Sequence, residues 1–315
     1  MGMRNHSSME QVTEFILIGF QLPRQWELFL FVVLLLVFLL TVAGNITIIT
    51  LVCLDQRLQT PMYFFLCNLS LIEVFFVTSI IPKMLVNMVS LNKAISYSGC
   101  VAQCYFYFSF GGSEAILIAV MAFDRYVAIC KPLRYTIIMN GWVCTDLVLG
   151  CWVCGSVTTL VPIILLLDLS FCGSNTIDHF FCDYAPMIKL SCNDVHFNLA
   201  LENVVSSVVL LGSLFATLLS YVYIIATILR MHSTTGRLKT FSTCASHITV
   251  ASIFYLCSIF MYSLPSQGYS RDVQMGIAVL TAAVTPLLNP FIYTLRNEKV
   301  KEVFKDFLKK RKFTL

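Results

Sequence analysis

Two carboxylic acids stand in otherwise uncharged apolar stretches: Glu73 within residues 58–82 and Glu114 within residues 94–123. An ionised side chain is costly there unless it finds a partner. If the two acids face one another, both cannot ionise cheaply, so the pair either shares a proton or holds a cation, for which sodium is the natural choice. His247 is a further titratable group in an apolar stretch, and a hydrogen-bonded packing role is expected for it. The sequence offers no recognised pairing of nucleophile with base and no metal constellation, so catalysis is not expected.

Thirteen cysteines are present. Most sit singly in apolar runs, where a thiol acts as a small hydrophobe. Cys100, Cys172, Cys182 and Cys192 instead fall in or beside polar connecting segments, and four cysteines allow two disulfides in three connectivities. His179 lies near them, but the spacing matches no common zinc pattern.

The elements that must carry these groups follow from composition. Of 315 residues, 58% are hydrophobic and 12% charged, about half the charged share of a soluble domain. Residues 28–54, 147–167, 203–229, 240–270 and 273–295 contain no Asp, Glu, Lys or Arg. With the two stretches that hold Glu73 and Glu114, they make seven segments long enough to span a bilayer. The runs are continuous rather than alternating, and backbone in lipid must satisfy its own hydrogen bonds, so an all-α seven-helix membrane bundle is expected. Connecting segments on one side carry 15 Lys and Arg, against 6 on the side of the N-terminus. That places the N-terminus outside and the C-terminus in the cytoplasm of a multi-pass plasma-membrane protein. The four loop cysteines then face an oxidising compartment, which suits disulfides.

Three regions are expected: an extracellular N-terminus over 1–26, a bundle over 27–296 and a cytoplasmic tail over 297–315. Residues 1–26 lack a cleavable signal peptide, so the first helix is expected to act as the insertion signal. Asn5 heads a glycosylation sequon there, whereas the sequons at Asn45 and Asn68 fall inside spans. In the tail, Val300, Val303, Phe304, Phe307 and Leu308 recur at helical spacing among lysines. This is a basic amphipathic helix for a lipid surface rather than a nucleic-acid patch.

Four motifs occur in order: TPMYFFLCNLS at 60–70, MAFDRYVAICKPLRY at 121–135, FSTCASH at 241–247 and PLLNPFIYTLRN at 286–297. Together they resemble the rhodopsin-like G-protein-coupled receptors, and specifically the odorant receptors, over essentially the whole chain. The resemblance implies the pairings Cys100 with Cys182 and Cys172 with Cys192. It also implies that Asp124, Arg125 and Tyr126 form the coupling motif, with Arg125 released on activation beside Tyr221 and Tyr293. Asn289 and Pro290, with Pro286, belong to a deformable helical segment. A sodium site between the second, third and seventh helices is likewise implied, adding Asn45 or Asn289 to the two acids. Glutamate at 73 departs from the more usual aspartate. A second departure from the wider class is that no proline interrupts residues 240–264, so the sixth helix must move by tilting or by bending near Tyr255.

For the ligand, residues 104–114 read CYFYFSFGGSE, and the face through Cys104, Phe108, Gly111 and Ala115 forms an apolar wall, with Gly112 beside it and Tyr107 able to hydrogen-bond. Opposite it the resemblance places Val205, Ser206 and Val209, then Tyr255, Ser258, Ile259 and Tyr262. A mostly apolar lining with a few hydroxyls suits a small volatile odorant such as an alcohol, ketone or ester. Residues 101–113 contain no acid for an amine and residues 272–295 no lysine for a retinal Schiff base. Glu202, near the outer end of the fifth helix, reads as a solvated boundary acid, with contact to a cationic amine ligand as the minor alternative. The partner implied is a heterotrimeric G protein of the stimulatory olfactory type, raising cAMP. Alternatives are a metabolite sensor of the same fold outside the nose, or an ion transporter. Against the transporter stand the odd number of spans and the lack of internal repeats.

Overall fold

The computed structural model describes residues 12–172, 174–263, 271–296 and 298–312. Asn5 therefore lies outside the described residues. Seven helices are long and apolar enough to cross a membrane: α1 (Arg24–Leu54), α2 (Pro61–Val89), α3 (Tyr97–Cys130), α4 (Gly141–Leu167), α5 (His196–Leu229), α6 (Thr234–Ser263) and α7. The last is composite, running through Arg271–Val279, a π-helical turn at Leu280–Val284 and Thr285–Arg296. An eighth helix, α8 (Glu298–Lys312), follows.

Their starts are written locally. Pro61 occupies the first turn of α2, where its missing N–H costs nothing. The side chains of Ser96 and Asn140 accept from the backbone N–H groups of Gly99 and Val143, capping α3 and α4. The outward faces stay apolar, as with Leu28, Phe29, Val32 and Leu36 on α1, because lipid rather than water covers them.

α3 runs through the centre and packs against α2, α4, α5 and α6. Its approach to α4 depends on Gly155. A Cβ there would stand 2.6 Å from both the Ser109 carbonyl oxygen and the Ser113 nitrogen. A gentler version joins α1 to α7, where a Cβ on Gly44 would meet Pro290 at 3.2 Å.

At the end of the bundle near the N-terminus, three short strands form a sheet in the order β2-β1-β3, with β1 at Glu14–Leu17, β2 at Ala94–Ser96 and β3 at Thr176–Ile177. β1 is antiparallel to β2 and parallel to β3. Period-two alternation buries Phe15 and Leu17 and leaves Glu14 and Ile16 outward. The two buried side chains pack with Cys100, Cys182 and Tyr184. Cys100 is bonded to Cys182 and Cys172 to Cys192, with Cα separations of 5.4 and 5.8 Å. The loop after α4 is thus pinned over the mouth of the bundle. Gln103 adds a further tie, accepting from the Cys182 N–H at 3.0 Å while donating to the Ser79 carbonyl at 2.8 Å.

At the opposite end, Val300 and Val303 of α8 turn into the bundle beside Tyr293 and Ile72. Arg57, in the α1–α2 connection, spans Asp55 at 2.9 Å, Asp306 at 3.0 Å and Glu302 at 3.6 Å, tying α8 to that connection.

Candidate functional site

Beneath the pinned loop lies a cavity of about 130 Å³. That is close to the ~150 Å³ apolar void that admits benzene in a well-studied core. Of the residues expected at a ligand site, Tyr107, Phe108, Gly111, Gly112, Val205, Ser206, Val209 and Ser258 line it. Gly112 matters for shape: a Cβ there would touch the Gly155 Cα at 3.5 Å and Val209 at 3.9 Å, filling the seam between α3, α4 and α5.

Three expected lining residues lie elsewhere. Cys104 is fully buried in the cluster around the disulfide and Tyr184, because its face of α3 is covered by the loop. Tyr255 is buried between helices; its hydroxyl donates to the Ala115 carbonyl at 3.2 Å and lies 3.2 Å from the Thr217 hydroxyl. It therefore ties α6 to α3 and α5 rather than facing the cavity. Ile259 packs against the same cluster as Tyr255 and Phe254. The side chain of Tyr262 lies outside the described residues.

The walls that sequence reasoning missed come from α4, the loop and α7: Thr158, Thr159 and Pro162, then Tyr184, then Thr281, Thr285 and Pro286. The adjacent threonines of α4 were a visible signal, being hydroxyls in an uncharged span. Glu202 also lines the cavity, one helical turn from Ser206, whose hydroxyl donates to it at 2.9 Å. It is therefore part of the site and not a solvated boundary acid. Asp183, in the loop beside it, is pushed up to about 7, first by burial and then by the charge of Glu202.

Glu114 forms part of the cavity floor and begins a second, more polar layer. Asn289 donates through Nδ2 to Oε1 of Glu73, Asn45 lies close to the same carboxyl, and Glu114 is near enough for the two acids to repel. Four oxygens of this layer are buried without a hydrogen-bond partner: Glu73 Oε2, Glu114 Oε1, Asn45 Oδ1 and Asn289 Oδ1. These four oxygens, two of them from acids, suit a small hard cation, while the Asn45 Nδ2 donor in the same layer is also without a partner.

The third layer holds the Asp124-Arg125-Tyr126 run. Arg125 pairs with Asp124, its neighbour in sequence, and Asp124 also accepts from the Tyr135 hydroxyl at 2.8 Å. Burial, then the charge of Asp124, raises Tyr135 above its ordinary range, so it remains a donor. Tyr126 turns away from Arg125, its ring 5.7 Å from that of Tyr223. Tyr221 hydrogen-bonds His247, the packing role expected for that histidine, and the buried Tyr293 hydroxyl has no partner. The structure brings Arg125, Tyr221 and Tyr293 to one end of the bundle without joining them, since each polar group is committed elsewhere or unsatisfied. Pro290 seats against Gly44, below the π-helical turn that Pro286 adjoins.

A family model described as olfactory receptor matches residues 34–311. Olfactory receptor 6C75 of Homo sapiens is 49% identical over 313 residues, covering 99% of each chain. Olfactory receptor 287 of Rattus norvegicus is 49% identical over 295 residues, covering 94% of this chain and 95% of its own. Olfactory receptor 6N1 of Homo sapiens is 45% identical over 300 residues, covering 95% of this chain and 96% of its own.

Proposed function

Since this chain belongs to the olfactory receptor family of G-protein-coupled receptors and is not an enzyme, we propose that it binds a small, mostly apolar volatile molecule in the cavity between α3, α4, α5 and α6 and activates a stimulatory olfactory-type G protein, raising cAMP. As a multi-pass plasma-membrane protein, it is oriented with its N-terminus and disulfides outside and its C-terminus inside. The charge balance of the connecting segments and the chemistry of disulfides both support that orientation.

The observation that carries the reading is the cavity itself, small and roofed by Tyr184 of the pinned loop. Most affinity comes from apolar burial against Phe76, Phe108, Ile163, Val209 and Phe254. Ligand contacts on α5 and α6 bias the bundle toward an arrangement in which Tyr255 no longer ties α6 to α3 and α5. Arg125 then leaves Asp124 and faces the G protein between Tyr221 and Tyr293. The basic helix α8 rests on anionic lipid at the inner surface.

The second layer acts as a brake. Glu73, Glu114, Asn45 and Asn289 would hold sodium between α1, α2, α3 and α7, and its charge would replace a shared proton in keeping the two acids together. Glu114→Gln removes one charge from that set, so sodium-dependent ligand affinity is expected to vanish; unchanged sodium dependence contradicts this role.

The functional reading is tested by cAMP in cells expressing the full chain with the olfactory-type G protein, screened against a broad panel of small volatiles. A ligand-dependent rise that Arg125→Ala abolishes at equal surface expression supports it. A rise retained in that variant contradicts the role given to Arg125.

A further inference from the structure

The polar wall of the cavity has a chemical bias that the sequence reading of an alcohol, ketone or ester does not capture. Six of its hydroxyls have committed their hydrogens, while Ser207, Ser258 and the Asn203 amide also line the wall. Thr158 donates to the Cys154 carbonyl at 2.6 Å, Thr159 to that of Gly155 at 2.9 Å and Thr281 to that of Ile277 at 2.9 Å. Thr285 donates to the Leu280 carbonyl at 3.3 Å and Tyr184 to that of Pro162 at 3.2 Å. Ser206 donates to Glu202. A hydroxyl with its hydrogen committed offers a ligand only lone pairs.

Two carboxyl groups, Glu202 and Glu114, also face the cavity, and among the described residues no Lys, Arg or His lines it. Among the described residues Glu202 accepts from a neutral hydroxyl, that of Ser206, and no Lys or Arg pairs with it. The unpartnered oxygen of Glu114 belongs to the polar layer already assigned to sodium, so Glu202 is the carboxyl left to the ligand. A carbonyl or ether ligand brings only acceptors, for which this wall offers the few donors of Asn203, Ser207 and Ser258, and it leaves the Glu202 carboxyl unmatched, a cost that selects against it.

We propose that the preferred ligand is a small protonated primary amine with an apolar body, its ammonium held by Glu202 and its alkyl part lying toward Phe108, Val209 and Phe254. An ammonium brings three donors and the missing positive charge, and charge-assisted hydrogen bonds are the stronger kind. The cavity volume fits a body of about six carbons, judged against the benzene-sized void. This rests on the receptor reading above and specifies the polar group that its cavity selects.

The test is a set of cAMP concentration–response curves on the full-length receptor, with hexylamine and cyclohexylamine set against hexan-1-ol, cyclohexanol and cyclohexanone. The amines are expected to act at concentrations at least ~10-fold lower than their neutral counterparts. Glu202→Gln, at matched surface expression, is expected to raise the amine EC50 by ~10-fold or more and leave that of any active alcohol within about threefold; Glu202→Asp, which keeps the charge, recovers part of the loss. Neutral compounds acting while amines are silent, or an amine response that Glu202→Gln does not move, overturns the assignment and leaves the receptor reading intact. Silence toward the whole set also overturns it, and a response of the same cells to other neutral volatiles then shows that the receptor reading still stands.

Discussion

The two ends of the bundle are held by different forces. At the end near the N-terminus, two disulfides, a three-stranded sheet and Gln103 fix the loop over the cavity. At the other end, no described covalent tie joins the groups around Arg125: Asp124 bonds Arg125 and Tyr135, and Tyr221 of α5 bonds His247 of α6, beside an apolar cluster of Tyr221, Ile224 and Cys244. A covalent roof keeps one geometry for a ligand. Hydrogen bonds can exchange partners, and the Tyr293 hydroxyl is still without one. On the proposed reading, the end that recognises ligand is the covalently pinned one and the end that signals is the one held by exchangeable bonds.

The largest effects come from the rigid end. The Cys100–Cys182 bond closes a loop of 82 residues and the Cys172–Cys192 bond one of 20. On the chain-entropy view these contribute ~4 and ~3 kcal/mol respectively. Cys100→Ser is expected to remove nearly all surface receptor and Cys172→Ser a smaller share, measured by antibody staining of intact cells. Equal effects would mean that the roof acts as one unit rather than through its tie to α3.

Next comes the α3–α4 seam. Gly155→Val places two methyl groups where a Cβ alone already meets the backbone of Ser109 and Ser113. A loss of ~2–3 kcal/mol in the thermal stability of the purified receptor is expected, with the cavity wall displaced. Gly150→Val, whose added Cβ would have nothing within 4 Å, serves as the control and should change little.

At the switching end the effects are smaller and opposite in sign for signalling. Tyr135→Phe removes one of the bonds that hold Asp124. Basal cAMP is expected to rise a few-fold, as suits a loss of ~1 kcal/mol from the resting arrangement. A fall in basal activity would show that Tyr135 supports the active arrangement instead.

The smallest effect is on pH. The folded protein holds Asp183 at about 7, well above its ordinary value of 3.8, because burial and Glu202 penalise its charge. The folded state therefore binds this proton more tightly than the unfolded chain does. The benefit is full below the unfolded value and fades as pH rises toward and through 7. Thermal stability should decline from pH 5 to pH 8, and Asp183→Asn should flatten that slope. An unchanged slope would assign the decline to other groups.

What sequence made legible follows the same division. Helices and motifs are local, so the seven spans, the amphipathic α8 and the Asp124-Arg125-Tyr126 run could be placed by spacing and charge. The three-stranded sheet over the mouth of the bundle was not visible: β1 has only four residues, and its partners lie in loops after α2 and α4. Tyr255 was misplaced because helical periodicity gives a face but not the neighbour on it, and here the hydroxyl reaches Thr217 and Ala115. Glu202 was read from its position at a helix end; the folded loop over it turns that boundary into a cavity wall.

The most direct test is to fill the cavity without touching either end. Gly112→Leu projects into the seam beside Val209. It should abolish the ligand-dependent cAMP rise per receptor at the surface, with surface expression measured alongside because the added side chain also meets the Gly155 backbone. A response of unchanged potency in Gly112→Leu would contradict the assignment of this cavity as the place where ligand binds and from which the switch is driven.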